Sequence, residues 1–288
     1  MSTSEVTWRI NIAELFGLGD AGLDDADVDA QGSVYVSDGV NGRVYKFQKD
    51  GVSMDSFSVI RPAPLDDEES SLNIAVAPDS AFCVSDAGRE RVFRYDDAGE
   101  FTGEFSTPGV LCLCRGPEGT VFVLSNAEGI ERINSYDQLG SLIGTLPAPT
   151  RHRTYLDPGL VNLDADAEGN IYVSYAMPPY RIWKVKADGS NIDIWNKEMD
   201  FPEDAVLIAD IALDQAAGVL WVLLACKQYG RQMLDAFNLA GDFIGTVEIP
   251  HNEALYNIIC PAGESELYLL DAFTGSGTGN LTRISVAI

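Results

Sequence analysis

The chain is poor in histidine, in basic residues and in long apolar runs. Its 288 residues include two histidines, His152 and His251. A zinc centre built on several imidazoles is therefore out of reach. A Ser-His-Asp hydrolase would have to use one of these two, and no GxSxG elbow is present. Only 19 Lys and Arg stand against 44 Asp and Glu, a formal net charge of −25. A field of that sign repels phosphate backbones and anionic lipid, which argues against nucleic acid and membrane surfaces as partners. The best apolar run, Gly218 to Cys226, falls far short of the about 20 residues that span a bilayer. Met1 to Glu5 has neither the basic start nor the apolar segment of a secretory leader.

Five cysteines (Cys83, Cys112, Cys114, Cys226 and Cys260) make an odd count, mostly inside apolar runs. That pattern suits reduced core thiols in a cytoplasmic protein. A secreted protein whose leader lies outside this sequence stays open. Cys112 and Cys114 would share one face of a strand, which is poor disulfide geometry. Helix signals are scarce as well. The acidic stretch Ala63 to Ser71 reads as a solvated loop.

What is present is a repeat. Ala26 to Gly51 reads ADVDAQGSVYVSDGVNGRVYKFQKDG. It spells a Gly turn, an apolar strand, a polar loop, a second alternating strand and an Asp-Gly turn. The strand centred on Tyr35 returns at Cys83, Phe122, Tyr172, Trp221 and Tyr268, at steps of 48, 39, 50, 49 and 47 residues. A third strand then runs to a turn at Gly51, Gly99, Gly140, Gly189 and Gly241, and a short fourth strand follows. Four strands recurring at roughly 40–50 residues predict an all-β, six-bladed β-propeller of four-stranded antiparallel blades. The chain then forms a single domain, 1–288, with blades at about 23–60, 72–106, 108–147, 159–197, 204–249 and 254–288. Blade six ends before a fourth strand, whereas Val6 to Ile12 is strand-like and has no blade of its own. It is expected to supply the missing outer strand.

The phrase around Tyr35 resembles the NHL repeat. Blade one carries the resemblance through Asp29, Gly32, Tyr35, Asp38, Asn41, Arg43, Phe47 and Gly51. Blade two keeps Asp86, Arg91, Tyr95 and Gly99, and blade four keeps Tyr172, Arg181 and Gly189. The resemblance implies a six-bladed propeller and little about activity, because that fold hosts scaffolds, lyases, lactonases and cyclases. The zinc-dependent amidating lyases among related propellers use several axial histidines, which this chain lacks. The more distantly similar sugar-lactonase propellers hold calcium at the axis. Asn73, Asn162, Asp210 and Asn257 precede first strands in different blades and are weak candidates for such a site, so no cofactor is firmly implied and Ca²⁺ stays possible.

Two Asp-rich turns, Asp27-x-Asp29-x-Gln31-Gly32 and Asp164-x-Asp166-x-Glu168-Gly169, look like calcium loops. The twelfth position, which needs a bidentate Glu, holds Asp38 in one and Tyr175 in the other, so both read as strand-to-strand turns. Asp38 with Arg43, and Asp86 with Arg91, are expected to pair between blades or within the loop. Gly275 to Asn280 lacks the GK[ST] ending of a phosphate loop and reads as a loop over the channel mouth.

Cations and aromatics gather in the loops linking second to third strands and blade to blade. Arg61, Arg151, His152, Arg153, Tyr155, Tyr175, Tyr180, Arg181, Lys227, Tyr229, Arg231, His251 and Phe273 all fall there. That set predicts recognition of an anionic or aromatic small molecule, or of a protein or peptide, at a loop-rich channel mouth. The alternative is an enzyme at the same mouth, either a calcium-assisted lactonase or a cofactor-free cyclase or lyase. A monomer is expected.

Overall fold

The computed structural model describes residues 4–18, 22–59, 71–149, 161–175, 181–193, 205–226, 232–249, 256, 258–263, 266–271 and 279–287. It is a six-bladed propeller. The chain opens with β1 (Ser4–Asn11) and a five-residue helix α1 (Ile12–Phe16). Blade one is β2 (Leu23–Val28), β3 (Val34–Asp38), β4 (Arg43–Phe47) and β5 (Met54–Ser58). Blade two is β6 (Leu72–Val76), β7 (Phe82–Asp86), β8 (Arg91–Tyr95) and β9 (Phe101–Ser106). Blade three is β10 (Val110–Arg115), β11 (Val121–Ala127), β12 (Ile130–Tyr136) and β13 (Leu142–Pro147). Blade four is β14 (Val161–Ala165), β15 (Ile171–Tyr175), β16 (Arg181–Val185) and β17 (Asn191–Asp193). Blade five is β18 (Ala205–Asp214), β19 (Val219–Cys226), β20 (Gln232–Asn238) and β21 (Phe243–Glu248). Blade six is β22 (Ile258–Gly263), β23 (Glu266–Asp271), β24 (Asn280–Val286) and β1.

The expected closure is observed. β1 runs antiparallel to β24, from Ser4 opposite Val286 to Asn11 opposite Asn280, with a register shift between Val6 and Trp8. The short helix α1 had no clear signature in the sequence. The Asn11 side chain accepts the Glu14 N–H at its start, and Gly17, at φ 63°, stops it in the left-handed region.

No blade owns a core. Among the described residues the buried apolar side chains form six clusters, each shared by two neighbouring blades. Strand periodicity explains this. Val34 and Val36 face blade six, while Tyr35 between them faces blade two. Burying each such side chain contributes about 1.5–3 kcal/mol, and the gain exists only when the next blade is in place. The tyrosine of the repeat also has a polar task. Tyr35 Oη donates to Ser80 O of blade two (3.3 Å), and Tyr268 Oη donates to Gly32 O of blade one (2.8 Å).

The glycine between third and fourth strands has two reasons to lack a side chain. Gly51 and Gly99 sit at φ 72° and 77°. A Cβ there would also strike an aromatic ring of the preceding blade, Trp8 for Gly51 and Phe57 for Gly99. The same packing recurs as Phe105 on Gly140 and Leu146 on Gly189. Trp8 belongs to β1, so the N-terminal strand fills in blade six the place that Phe57 fills in blade one.

Candidate functional site

The first strand of every blade faces the axis and is an edge strand, so its outward N–H groups need partners. Along β2, β14 and β18 those partners are carboxylates. Asp25 accepts the Ala26 N–H on one oxygen (2.8 Å) and the Ile74 N–H of blade two on the other (2.9 Å). Asp27 does the same with Val28 (2.7 Å) and Val76 (2.6 Å). Asp164 takes Ala165 and, in blade five, Leu213, both at 2.7 Å. Asp210 takes Ile211 (2.8 Å) and, in blade six, Ile259 (2.9 Å). Each aspartate is thus a clasp between its own inner strand and the next. Asn73 and Asn162 serve alike, donating to Leu111 O (3.1 Å) and Ala209 O (3.0 Å).

These residues line a cavity of about 560 Å³ along the axis. It reaches the first-to-second-strand turns at Ala30, Pro78, Gly116, Ala216 and Gly263. Among the described residues Arg115 is the one basic side chain in that lining. Burial, reinforced by neighbouring carboxylates, pushes Asp25 up to about 8, Asp164 to about 7 and Asp27 to about 6. Asp210 is raised as well, by burial first and then by Asp25 and Asp164. The N–H bonds pull each of them the other way.

Three of the four metal candidates, Asn73, Asn162 and Asp210, therefore do reach the axis. Asn257 lies outside the described residues. Both Asp210 oxygens hold N–H groups, and both asparagine amides are turned to the adjoining blade. No group of three or more His, Cys, Asp or Glu is placed to hold a metal among the described residues.

The two Asp-rich turns need a correction. Only their second aspartates belong to turns. Asp29 accepts the N–H of Gln31 (2.9 Å) and Ser33 (2.8 Å), and Asp166 accepts those of Glu168 and Asn170. Asp27 and Asp164 are axial clasps. The alternation Asp25-x-Asp27 and Asn162-x-Asp164 in strands was the signal, since a period of two puts both on one face.

At the second-to-third-strand end, Asp38 accepts Asn41 N–H (2.9 Å), Asn41 Nδ2 (2.8 Å) and Tyr45 Oη (3.1 Å). Asp86 accepts the Arg89 N–H (3.1 Å) and Nη1 (2.6 Å). The expected partners Arg43 and Arg91 instead turn to the fourth strands, meeting Ser56 and Glu104.

Of the sequence-predicted ligand residues, two are described. Tyr175 is buried and donates to Pro149 O (2.9 Å). Arg181 opposes Tyr175 at the start of β16, half-buried, with its guanidinium 5.6 Å from the Trp183 ring centre. Arg61, Arg151, His152, Arg153, Tyr155, Tyr180, Lys227, Tyr229, Arg231, His251 and Phe273 lie outside the described residues.

No protein-family model and no curated protein sequence matches this chain. Solved structures do. A streptogramin B lyase superposes with a TM-score of 0.63 at 13% identity, covering 99% of this chain and 98% of the other. The PQQ-bound aldose sugar dehydrogenase of Streptomyces coelicolor gives 0.65 at 14% identity, covering 100% and 99%. Virginiamycin B lyase from Staphylococcus aureus with quinupristin gives 0.61 at 13%, covering 99% and 100%. At such identities the likeness shows the six-bladed propeller and nothing finer. No helix is long and apolar enough to cross a membrane among the described residues.

Proposed function

We propose that this NHL-like propeller recognises a small molecule or a protein partner at the loop-rich mouth of its channel. One observation carries the reading. The axis is a preformed concavity whose inner strands are locked blade to blade. The axial carboxylates are committed to that locking, which leaves recognition to the rim. Arg181, the first residue of β16, is the described member of the recognising set in this reading, with Arg153 and Arg231 in neighbouring loops of the sequence. The test is a ligand screen followed by calorimetry on Arg153→Ala, Arg181→Ala and Arg231→Ala. Binding that survives all three substitutions defeats the reading.

The second reading is a propeller enzyme. Asp25 and Asp164, held near neutrality by burial, have the proton affinity a general acid or base needs. The neighbours that are a lyase and a dehydrogenase show that this fold accommodates catalysis. An Asp164→Asn variant that folds, binds and no longer turns over a substrate would favour it. Among the described residues Cys83, Cys112, Cys114 and Cys260 are buried and form no disulfide, which suits a monomer in a reducing cytoplasm.

A further inference from the structure

The outer strands of the blades differ in how they guard their free edges. Each is the last strand of its sheet, so one side of its backbone pairs with no other strand. Natural sheets blunt such edges with charged side chains. Most blades do so here. β1 carries Glu5 and Arg9, β5 carries Asp55, β9 Glu104, β17 Asp193 and β21 Glu248. β13 carries no charge. It reads LIGTLP, and the uncharged stretch extends from Gln138 to Pro149, in a chain with 44 acidic residues.

β13 is also apolar where it is open. Leu142 and Ile143 are each 59% exposed, and Leu139 in the turn before them is 77% exposed. The pairing with β12 shows which backbone groups are open. The Ala148 N–H donates to the O of Glu131, which lies opposite it. Leu146 opposite Ile133 and Gly144 opposite Ser135 are in step with that pair, so their N–H and C=O groups point to β12. Thr145 lies between them and turns its N–H and C=O the other way. No strand among the described residues meets that side. The Thr145 hydroxyl is already engaged, donating to Asn134 Oδ1 (2.9 Å). Pro147 has no N–H and ends the open edge. The register shift between Ser135 and Tyr136 bounds it at the turn end.

We propose that β13 is a docking edge, on which an extended segment of a basic partner protein adds a further strand to blade three. The edge calls for a strand, because a row of open main-chain N–H and C=O groups is matched best by another such row. Leu142 and Ile143 give the incoming strand an apolar surface, which suits alternating β-branched residues. Charge selects the partner. The edge itself is neutral, so short-range pairing favours neither sign. The long-range field of −25 repels a second copy of this chain and draws in a segment flanked by Lys or Arg. This surface lies on the outermost strand of its blade and does not depend on the reading of the channel mouth.

The test uses the full chain and two dye-labelled peptides, KKVTVTVKK and the same sequence N-methylated throughout its central segment. Both carry the same charge, so attraction to the acidic surface is common to them and only main-chain pairing differs. Fluorescence anisotropy should show the methylated peptide binding at least about tenfold more weakly. In amide hydrogen exchange by NMR, the plain peptide should slow the Thr145 N–H and leave the β5 amides unchanged. Thr145→Pro removes the open N–H and should abolish binding. Ile143→Ser, which keeps the backbone intact, should weaken it about threefold or more. Equal affinity for the two peptides would reduce the interaction to charge and overturn the proposal, as would binding that leaves Thr145 exchange unchanged or no binding at millimolar peptide. A dimer in sedimentation velocity that Ile143→Ser or Thr145→Pro dissolves would give the edge to a second copy and overturn the basic partner.

Discussion

Aspartate does two different jobs at the two levels of this propeller. Along the axis, Asp25, Asp27, Asp164 and Asp210 each hold one N–H of their own strand and one of the next blade. At the loop end, Asp38 and Asp86 close their own loops. The first set maintains the ring. The second set is local, and its variation from blade to blade alters chemistry without altering the fold. Geometry therefore separates a scaffold level from a level at which function can change.

The largest effect should come from breaking the ring itself. Deleting residues 4–11 removes the outer strand of blade six and the indole on Gly51. Loss of a single cooperative melting transition is expected by calorimetry. Trp8→Ala alone should cost about 3 kcal/mol in denaturant titration, the range for removing a large aromatic from a packed site. Asp164→Ala should cost about 2–4 kcal/mol, because it leaves the Ala165 and Leu213 N–H groups unpaired. Gly99→Ala should cost roughly 1–3 kcal/mol, from the positive φ and the Phe57 ring together. At the loop end the effect is smaller. Asp38→Ala should lose about 1–2 kcal/mol with its three donors.

The axial carboxylates also set a pH dependence. Their folded pKa values lie above the ordinary value of 3.8, at about 8 for Asp25 and about 7 for Asp164. The folded state keeps protons that the unfolded chain releases, so this stability is present in full below pH 3.8 and is lost as pH rises through 7 and 8. Asp166 and Glu266, lowered by Asn170 and Lys184 and by Arg283 and Lys49, contribute the opposite, lost on acidification. The melting temperature should peak in mildly acidic buffer and fall toward pH 8. Asp25→Asn should flatten that fall. A melting temperature that climbs steadily to pH 8 would show the axial carboxylates ionised throughout.

The fold was legible because the propeller is periodic. Tyr35, Tyr172 and Tyr268 recur in phase, and Val6 to Ile12 had only one place to pair. The axis was harder to read. Asp27 and Asp164 stand two residues before turn aspartates, and turn and strand share one short phrase there, so local sequence could not show which carboxylate faced inward. The candidate rim is the least legible part. Its cations come from loops without a repeating pattern, and of thirteen predicted positions only Tyr175 and Arg181 lie on described strands. Tyr175 turned inward to Pro149, as a strand-end tyrosine does when its hydroxyl finds a carbonyl.

The separation of axis from mouth can be tested in one experiment. Take a ligand found by thermal-shift screening and measure its affinity calorimetrically, well below melting, for wild type, Arg181→Ala and Asp164→Ala. The account predicts that Arg181→Ala loses affinity at an unchanged melting temperature, while Asp164→Ala melts early and binds as wild type does. Lost binding in Asp164→Ala, with Arg181→Ala indifferent, would place the function on the axis and contradict it.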